Sequence, residues 1–324
     1  MTLPHASIDI GSNTLRLLIA EPSADPLASQ PWRTIDYAHR ITRLGQGLHE
    51  SGKLSEAGME RAVNALKEFR SLIDRYRVKP QHIYAVATAA VREAENGTSF
   101  KKIIQRETGI DISVIHGEEE AFRSLLGAVS VLHDETRKEF LLFDIGGGST
   151  EFIRTKDNTM TDAISCKLGV VRLVEACLCS DPPSTDEYLA MKKIALDHLD
   201  EVSRFWEETS GIVPARMVGT AGTVTTLAAV QMGLAPYDAE KVNNYQMGRN
   251  DFHRLRDKLL AMTHRQRESI PAIEAGRADL IIAGLAIIEA MMEKWNYDSF
   301  ITVDAGLLEG NWINSYKKEC SSLL

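Results

Sequence analysis

Apolar and polar positions along the first third of the chain predict strands, then helices. Ile8–Ile10 and Leu15–Ala20 are short apolar runs on either side of a Gly/Ser/Asn turn, the pattern of a β-hairpin. Residues 32–44 follow with mixed polarity. From Ser55 to Tyr76, apolar residues fall at Met59, Val63, Leu66, Phe69, Leu72, Ile73 and Tyr76. That is helical spacing, with Ser55 as N-cap, Glu56 in the first turn and Pro80 beyond the end. His82–Ala87 reads as a strand, 99–106 as a short helix and 111–115 as another strand. Glu118–Val131 reads as a helix opening on three acids, which suits the macrodipole.

The pattern then restarts. Phe140–Phe143 and Glu151–Arg154 flank a second Gly-rich turn, so Leu142-Phe143-Asp144-Ile145-Gly146-Gly147-Gly148-Ser149-Thr150 repeats Ser7-Ile8-Asp9-Ile10-Gly11-Ser12-Asn13-Thr14. Thr185–Trp206 is a long helix and 216–218 a short strand. Gly219-Thr220-Ala221-Gly222-Thr223 leads into an apolar helix, Val224–Met232. Residues 277–295 form a helix apolar on most sides, hence deeply buried. A strand at 299–303 and a helix from Leu307 end the chain. The restart predicts two related α/β halves, with the boundary around residues 120–135.

Three Gly-rich turns carry the candidate chemistry: Gly11–Thr14, Gly146–Thr150 and Gly219–Thr223. Each follows an apolar strand-like run, and glycine lets a backbone approach a phosphate and surround it with N–H donors. Gly11, Ser12, Asn13, Thr14, Gly146, Gly147, Gly148, Ser149, Thr150, Gly222 and Thr223 are the candidate phosphate-binding residues. Taken singly, such a turn is weak evidence, since most turns of this kind are only turns. Asp9, Asp144 and Glu151 are the candidate ligands of Mg²⁺ or another divalent cation, which needs one or two carboxylates beside substrate phosphates. An Asp at a hairpin mouth can instead cap the turn.

Glu118, Glu119 and Glu120 offer a general base; the bland reading is an acidic helix start. Arg16 and Arg92 are candidates for phosphate contact because guanidinium binds phosphate bidentately. Arg40, Arg43, Lys167, Arg172, Arg265, Arg267 and Arg277 are further cations for an anionic substrate, although a single such residue is more often a solvated or ion-paired surface residue. His116 and His264 lack ligand spacing.

Composition narrows the partners. At 324 residues, the chain is long enough for two cores. A net charge of −8 disfavours nucleic acid. No apolar run approaches the ~20 residues needed to span a bilayer. Cys166, Cys177, Cys179 and Cys320 lack zinc spacing and read as free thiols, consistent with a cytoplasmic protein.

Several ordered segments resemble the signatures of the exopolyphosphatase/guanosine pentaphosphate phosphatase (Ppx/GppA) family. They are Asp9–Arg16, Arg43–Leu48, Ala87–Arg92, Gly117–Ala121, Asp144–Glu151, Leu168–Leu173, Gly219–Thr223 and 277–284. The resemblance implies an α/β fold of two duplicated ribonuclease H-like domains, of the actin/hexokinase/Hsp70 superfamily, with an interdomain cleft. The expected domains are 1–125 and 126–324, with the final helix, about 307–318, returning to the first. It implies Mg²⁺-dependent hydrolysis of terminal phosphate from polyphosphate or guanosine pentaphosphate. It places the base at Glu120, a substrate-facing position at Arg92, and metal and phosphate positions at Asp144, Glu151 and the loops. A homodimer is implied by the resemblance alone. An ATP-dependent kinase of the same fold and a non-catalytic sensor of guanosine tetraphosphate or polyphosphate are the alternatives.

Overall fold

The structure is a computed structural model and describes residues 3–23, 30–157, 159–209 and 213–322. The chain divides into two compact units, one of Met1–Val131 with Ala305–Leu324, the other of Leu132–Asp304.

The first unit is built on a five-stranded sheet. Its strands are β1 (His5–Ile10), β2 (Thr14–Pro22), β3 (Trp32–Ile41), β4 (Ile83–Ala87) and β5 (Ile112–Val114), in spatial order β3-β2-β1-β4-β5. β1–β3 form an antiparallel meander; β4 runs parallel to β1, and β5 to β4. Side chains alternate across a strand, and β2 is apolar on both faces. Leu15, Leu17 and Ile19 join the core containing Leu66, Phe69 and Ile73 of the Glu56–Arg75 helix. Leu18 and Ala20 join Leu308, Trp312 and Ile313 of the Leu307–Ser322 helix.

That last helix is tied to the sheet by buried polar contacts. Ser7 Oγ donates to Leu308 O (2.8 Å), and Asn311 Nδ2 donates to Ser7 Oγ (2.9 Å) and Tyr84 O (2.8 Å). It also lies directly on the Gly117–Val131 helix. A Cβ at Gly127 would stand 2.0 Å from Gly306 O, and one at Gly310 would stand 1.7 Å from Arg123 O. Gly127→Ala is therefore expected to destabilise this unit by about 1–3 kcal/mol through overpacking. A lowered urea midpoint at unchanged m-value reads it; an unchanged midpoint contradicts the close packing.

The second unit repeats the plan. Its strands are β6 (Glu139–Ile145), β7 (Thr150–Lys156), β8 (Thr159–Cys166), β9 (Met217–Thr220), β10 (Tyr245–Gly248) and β11 (Ser299–Thr302), in order β10-β11-β9-β6-β7-β8. β6–β8 are an antiparallel meander, β9 is parallel to β6 and β11 to β9. β10 adds an antiparallel edge. Thus β1, β2, β3, β4 and β5 correspond to β6, β7, β8, β9 and β11, and the fold is α/β with two mixed sheets of one ribonuclease H-like plan. The Leu280–Lys294 helix is buried at every position from Leu280 to Met292, in a core shared with the Thr185–Thr209 helix.

The mixed-polarity stretch 32–44 contains β3, a ten-residue edge strand with only Trp32 buried. β8 was not legible for the same reason: among its residues only Cys166 is buried. Edge strands lack the apolar alternation that marks a strand in sequence.

Candidate active site

The two repeated turns have the same geometry. Gly11 N donates to Thr14 O (3.1 Å) and Gly146 N to Ser149 O (2.9 Å). Each is held from one side by a segment that follows the third strand of its meander. In the first unit, Ser12 O accepts from Gly45 N (2.7 Å), and Asn13 O accepts from Thr42 N and Arg43 N (both 2.9 Å). In the second, Gly146 O accepts from Val170 N (3.1 Å), Gly147 O from Val171 N (2.9 Å) and Gly148 O from Arg172 Nε (2.7 Å).

This fixes where the N–H groups point. In a planar trans peptide the N–H opposes the carbonyl. Three successive carbonyls point at the start of the Val170–Cys177 helix, so the N–H groups of Gly147, Gly148 and Ser149 point away from it. Successive N–H groups aimed outward form an anion-binding concavity. Thr150, by contrast, is fully buried and its hydroxyl donates to Leu168 O.

Gly45 and Gly169 make this possible, and neither was singled out from the sequence. A Cβ at Gly45 would stand 3.0 Å from the Ser12 Cβ; one at Gly169 would stand 2.3 Å from Gly147 O. The available signal was a second repeat, Leu44-Gly45 and Leu168-Gly169, each Leu buried. Gly169→Ala must push the Gly146–Ser149 turn out of place. Expected is an affinity for a phosphate group lowered more than about tenfold, the factor equivalent to ~1.4 kcal/mol. Titration with pyrophosphate measures it, and wild-type affinity would contradict that support role.

Strand register places the carboxylates, because residues directly opposed on neighbouring strands share a sheet face. Asp9 opposes Arg16, and Asp144 opposes Glu151. The first pair is an ion pair: Arg16 Nη2 and Nε donate to Asp9 Oδ2 at 2.7 and 3.1 Å. Burial opposes the Arg16 charge, but Asp9 beside it raises the guanidinium pKa overall. Asp9 Oδ1 is buried and has no hydrogen-bond partner among the described residues.

The second pair sets two buried carboxylates opposite each other, where like charges destabilise a sheet. Thr220 on β9 and Ser165 on β8 continue the row across four strands. Glu151 Oε1 accepts from Ser149 Oγ (2.8 Å) and Ser165 Oγ (2.7 Å). Opposed carboxylates with hydroxyl neighbours are an all-oxygen donor set, which fits a hard divalent cation such as Mg²⁺. Nearby, the Cys166 thiol is pushed up to about 12, first by burial and then by Glu151.

The acid cluster resolves by burial. Glu118 is exposed, Glu119 is half-buried and pairs with Arg123, and Glu120 is buried at 6% exposure. Glu120 lies in the first turn of the Gly117–Val131 helix. Arg92, on the short helix after β4, donates through Nη1 to Glu120 Oε2 (3.0 Å) and Ile115 O (2.8 Å). Backbone bonds Thr88 N to Ile10 O (3.3 Å) and Ile115 N to Ala87 O (3.0 Å) gather the C-terminal ends of β1, β4 and β5. The Gly11–Thr14 turn, Arg92 and Glu120 therefore emerge from the same end of this sheet, where open α/β sheets bind ligands.

In the third turn the left-handed residue is Ala221, with φ 70°, rather than a glycine. Gly219 and Gly222 serve close approach: a Cβ would stand 2.3 Å from the Phe143 ring at Gly219 and 1.6 Å from the Arg277 guanidinium at Gly222. Thr223 packs on Gly284. The remaining cations divide. Arg172 supports the Gly148 carbonyl, Arg40 pairs with Glu68 (2.8 Å), and Arg267, 1% exposed, donates to backbone carbonyls such as Ala278 O (2.7 Å). The last is a core residue.

A duplicated α/β sheet whose Gly turns present backbone N–H groups, with buried carboxylates at the strand ends, defines a phosphate-handling protein of two related units. The chain belongs to the Ppx/GppA phosphatase family, which it matches over residues 28–319. It is similar to exopolyphosphatase 2 of Mycobacterium tuberculosis, with 31% identity over 94% of this chain and 96% of that protein. It is 30% identical, again over 94% of this chain, to a bifunctional 3-dehydroquinate synthase/phosphatase of Fusobacterium nucleatum, of which it spans 46%. Among solved structures, the Ppx/GppA family member of Aquifex aeolicus aligns with a TM-score of 0.80 and 31% identity, over 98% of this chain and 99% of that one. An exopolyphosphatase-type phosphatase is the class these relatives define. No described helix is long and apolar enough to cross a membrane.

Proposed function

We propose that this protein hydrolyses the terminal phosphoanhydride of inorganic polyphosphate or guanosine pentaphosphate, with water as acceptor and Glu120 as general base. What supports this reading is the burial of Glu120, alone of three adjacent acids, against Arg92 at the strand ends that also carry the first Gly turn. Polyphosphate is further supported by the relatives named exopolyphosphatase.

Phosphoryl transfer depends on positioning and electrostatics, so no covalent nucleophile is needed. In the proposed step Glu120 takes a proton from water as its oxygen bonds the terminal phosphorus. The P–O–P bond breaks, and the shortened chain or guanosine tetraphosphate leaves with the electron pair. Arg92 orients the Glu120 carboxylate. Each Gly turn is read as the phosphate cradle of its own unit: the Gly11–Thr14 turn through its Ser12, Asn13 and Thr14 donors, the second through the N–H groups of Gly147, Gly148 and Ser149. In the second unit Mg²⁺, held through Asp144 and Glu151, would neutralise charge on the phosphate oxygens there. Asp9 is read as the partner that fixes Arg16 beside the first turn.

Side-by-side kcat/KM values for short polyphosphate, long polyphosphate and guanosine pentaphosphate, with Mg²⁺ varied, test the proposal. Phosphate release without any added acceptor is expected for at least one of them. Strict dependence on an acceptor hydroxyl would overturn it in favour of a kinase.

A further inference from the structure

Away from the phosphate turns, the first unit carries a second cluster of ligating groups that the proposed hydrolysis does not use. His5 begins β1, His82 ends the short 3₁₀ turn Pro80–His82 before β4, and Glu319 lies near the end of the Leu307–Ser322 helix. Three segments distant in sequence thus bring two imidazoles and a carboxylate together. The closest ligand atoms of the three lie within 4.8 Å of one another.

The spacing is that of a coordination shell. His5 Nε2 is 3.3 Å and His82 Nδ1 is 3.0 Å from Glu319 Oε2. Ligands at about 2.0–2.1 Å from a tetrahedral Zn²⁺ stand ~3.3 Å apart; the two contacts to Glu319 match that edge, and the two imidazoles, whose ligand atoms lie within 4.8 Å, close on a cation by side-chain adjustment. The Tyr84 hydroxyl donates to the same Glu319 oxygen (2.5 Å) and orients the carboxylate. Such an outer contact is what metal-ligating carboxylates commonly have.

A second, independent observation comes from His5. It is 4% exposed, and beyond the 3.3 Å approach of Nε2 to Glu319 Oε2 neither ring nitrogen meets a partner in hydrogen-bond geometry among the described residues. Buried polar nitrogens normally find a partner. Aromatic rings pack around it: His82 at 4.4 Å between centroids, Tyr316 at 5.3 Å and Tyr84 at 5.8 Å. Two imidazole nitrogens beside one carboxylate select a borderline transition metal over Mg²⁺, which takes oxygen ligands.

We propose that His5, His82 and Glu319 form a transition-metal site of the Zn²⁺ class, which clips the C-terminal helix to β1 and β4. It is structural in consequence, because its ligands come from three segments that meet only when the first unit is folded.

The test is metal content and stability of the full chain, stripped with chelator and then given Zn²⁺ in excess Mg²⁺. Wild type is expected to keep one zinc per chain through gel filtration, and its Tm to rise by about 5–10 °C at saturating zinc. His5→Gln/His82→Gln is expected to lose both, whereas Glu151→Gln keeps both. Substitution with Co²⁺ gives a readout that needs no variant: four-coordinate ligand-field bands without a thiolate charge-transfer band. Absence of retained zinc in wild type, retention by the double variant, or a thiolate band pointing to the cysteines would each overturn the site. So would a Tm indifferent to zinc.

Discussion

Glu120→Gln lowers kcat for phosphate release by about 10²–10⁴-fold, the usual contribution of a positioned general base, while KM stays within a few-fold of wild type. The amide keeps the volume and an oxygen for Arg92 Nη1, so the first turn of the Gly117–Val131 helix is retained. What disappears is the capacity to accept a proton. The neighbouring acids provide the control. Glu118 is exposed, and Glu119 is half-buried and paired with Arg123. Glu118→Gln is therefore expected to leave kcat near wild type. An equal loss from Glu118→Gln and Glu120→Gln would make the cluster an electrostatic feature rather than the seat of one base.

The second large effect concerns the opposed carboxylates. Glu151→Gln is expected to raise the Mg²⁺ concentration for half-maximal activity at least about tenfold, the factor equivalent to ~1.4 kcal/mol. The amide still accepts from Ser149 Oγ and Ser165 Oγ, so its contacts with the turn and with β8 are kept. Only the negative charge is removed. Asp9→Asn supplies the contrast. Asp9 already faces the Arg16 guanidinium, so its loss is expected to weaken substrate binding through a displaced Arg16 and to leave the Mg²⁺ requirement unchanged. Activity titrated with Mg²⁺ at fixed substrate separates these outcomes. A Glu151→Gln enzyme with wild-type Mg²⁺ dependence would remove Glu151 from the metal reading.

Much of this arrangement is written locally in the sequence. The repeated Asp-Ile-Gly motif is legible because a hairpin turn with small residues needs little help from elsewhere in the fold. The Ser55-capped helix was equally plain, since the N-cap and apolar spacing are local signals: Ser55 Oγ does accept from Gly58 N (3.1 Å). What escaped depends on tertiary packing. Nothing near Gly169 in the sequence says that Gly147 O will stand against it. The difference between Asp9 and Asp144 is visible only in register, which places Arg16 opposite one and Glu151 opposite the other. Residue pattern alone does not tell three identical acids in a row apart; the family resemblance singles out Glu120, and helix phase buries it and turns Glu118 outward.

The most direct measurement of the central claim is the mass of phosphate released from polyphosphate in H₂¹⁸O. If water activated at Glu120 attacks the terminal phosphorus, each released phosphate carries one ¹⁸O, and Glu120→Gln slows that incorporation in step with turnover. Phosphate released without ¹⁸O, or formed only when an acceptor hydroxyl is supplied, would contradict hydrolysis at this site.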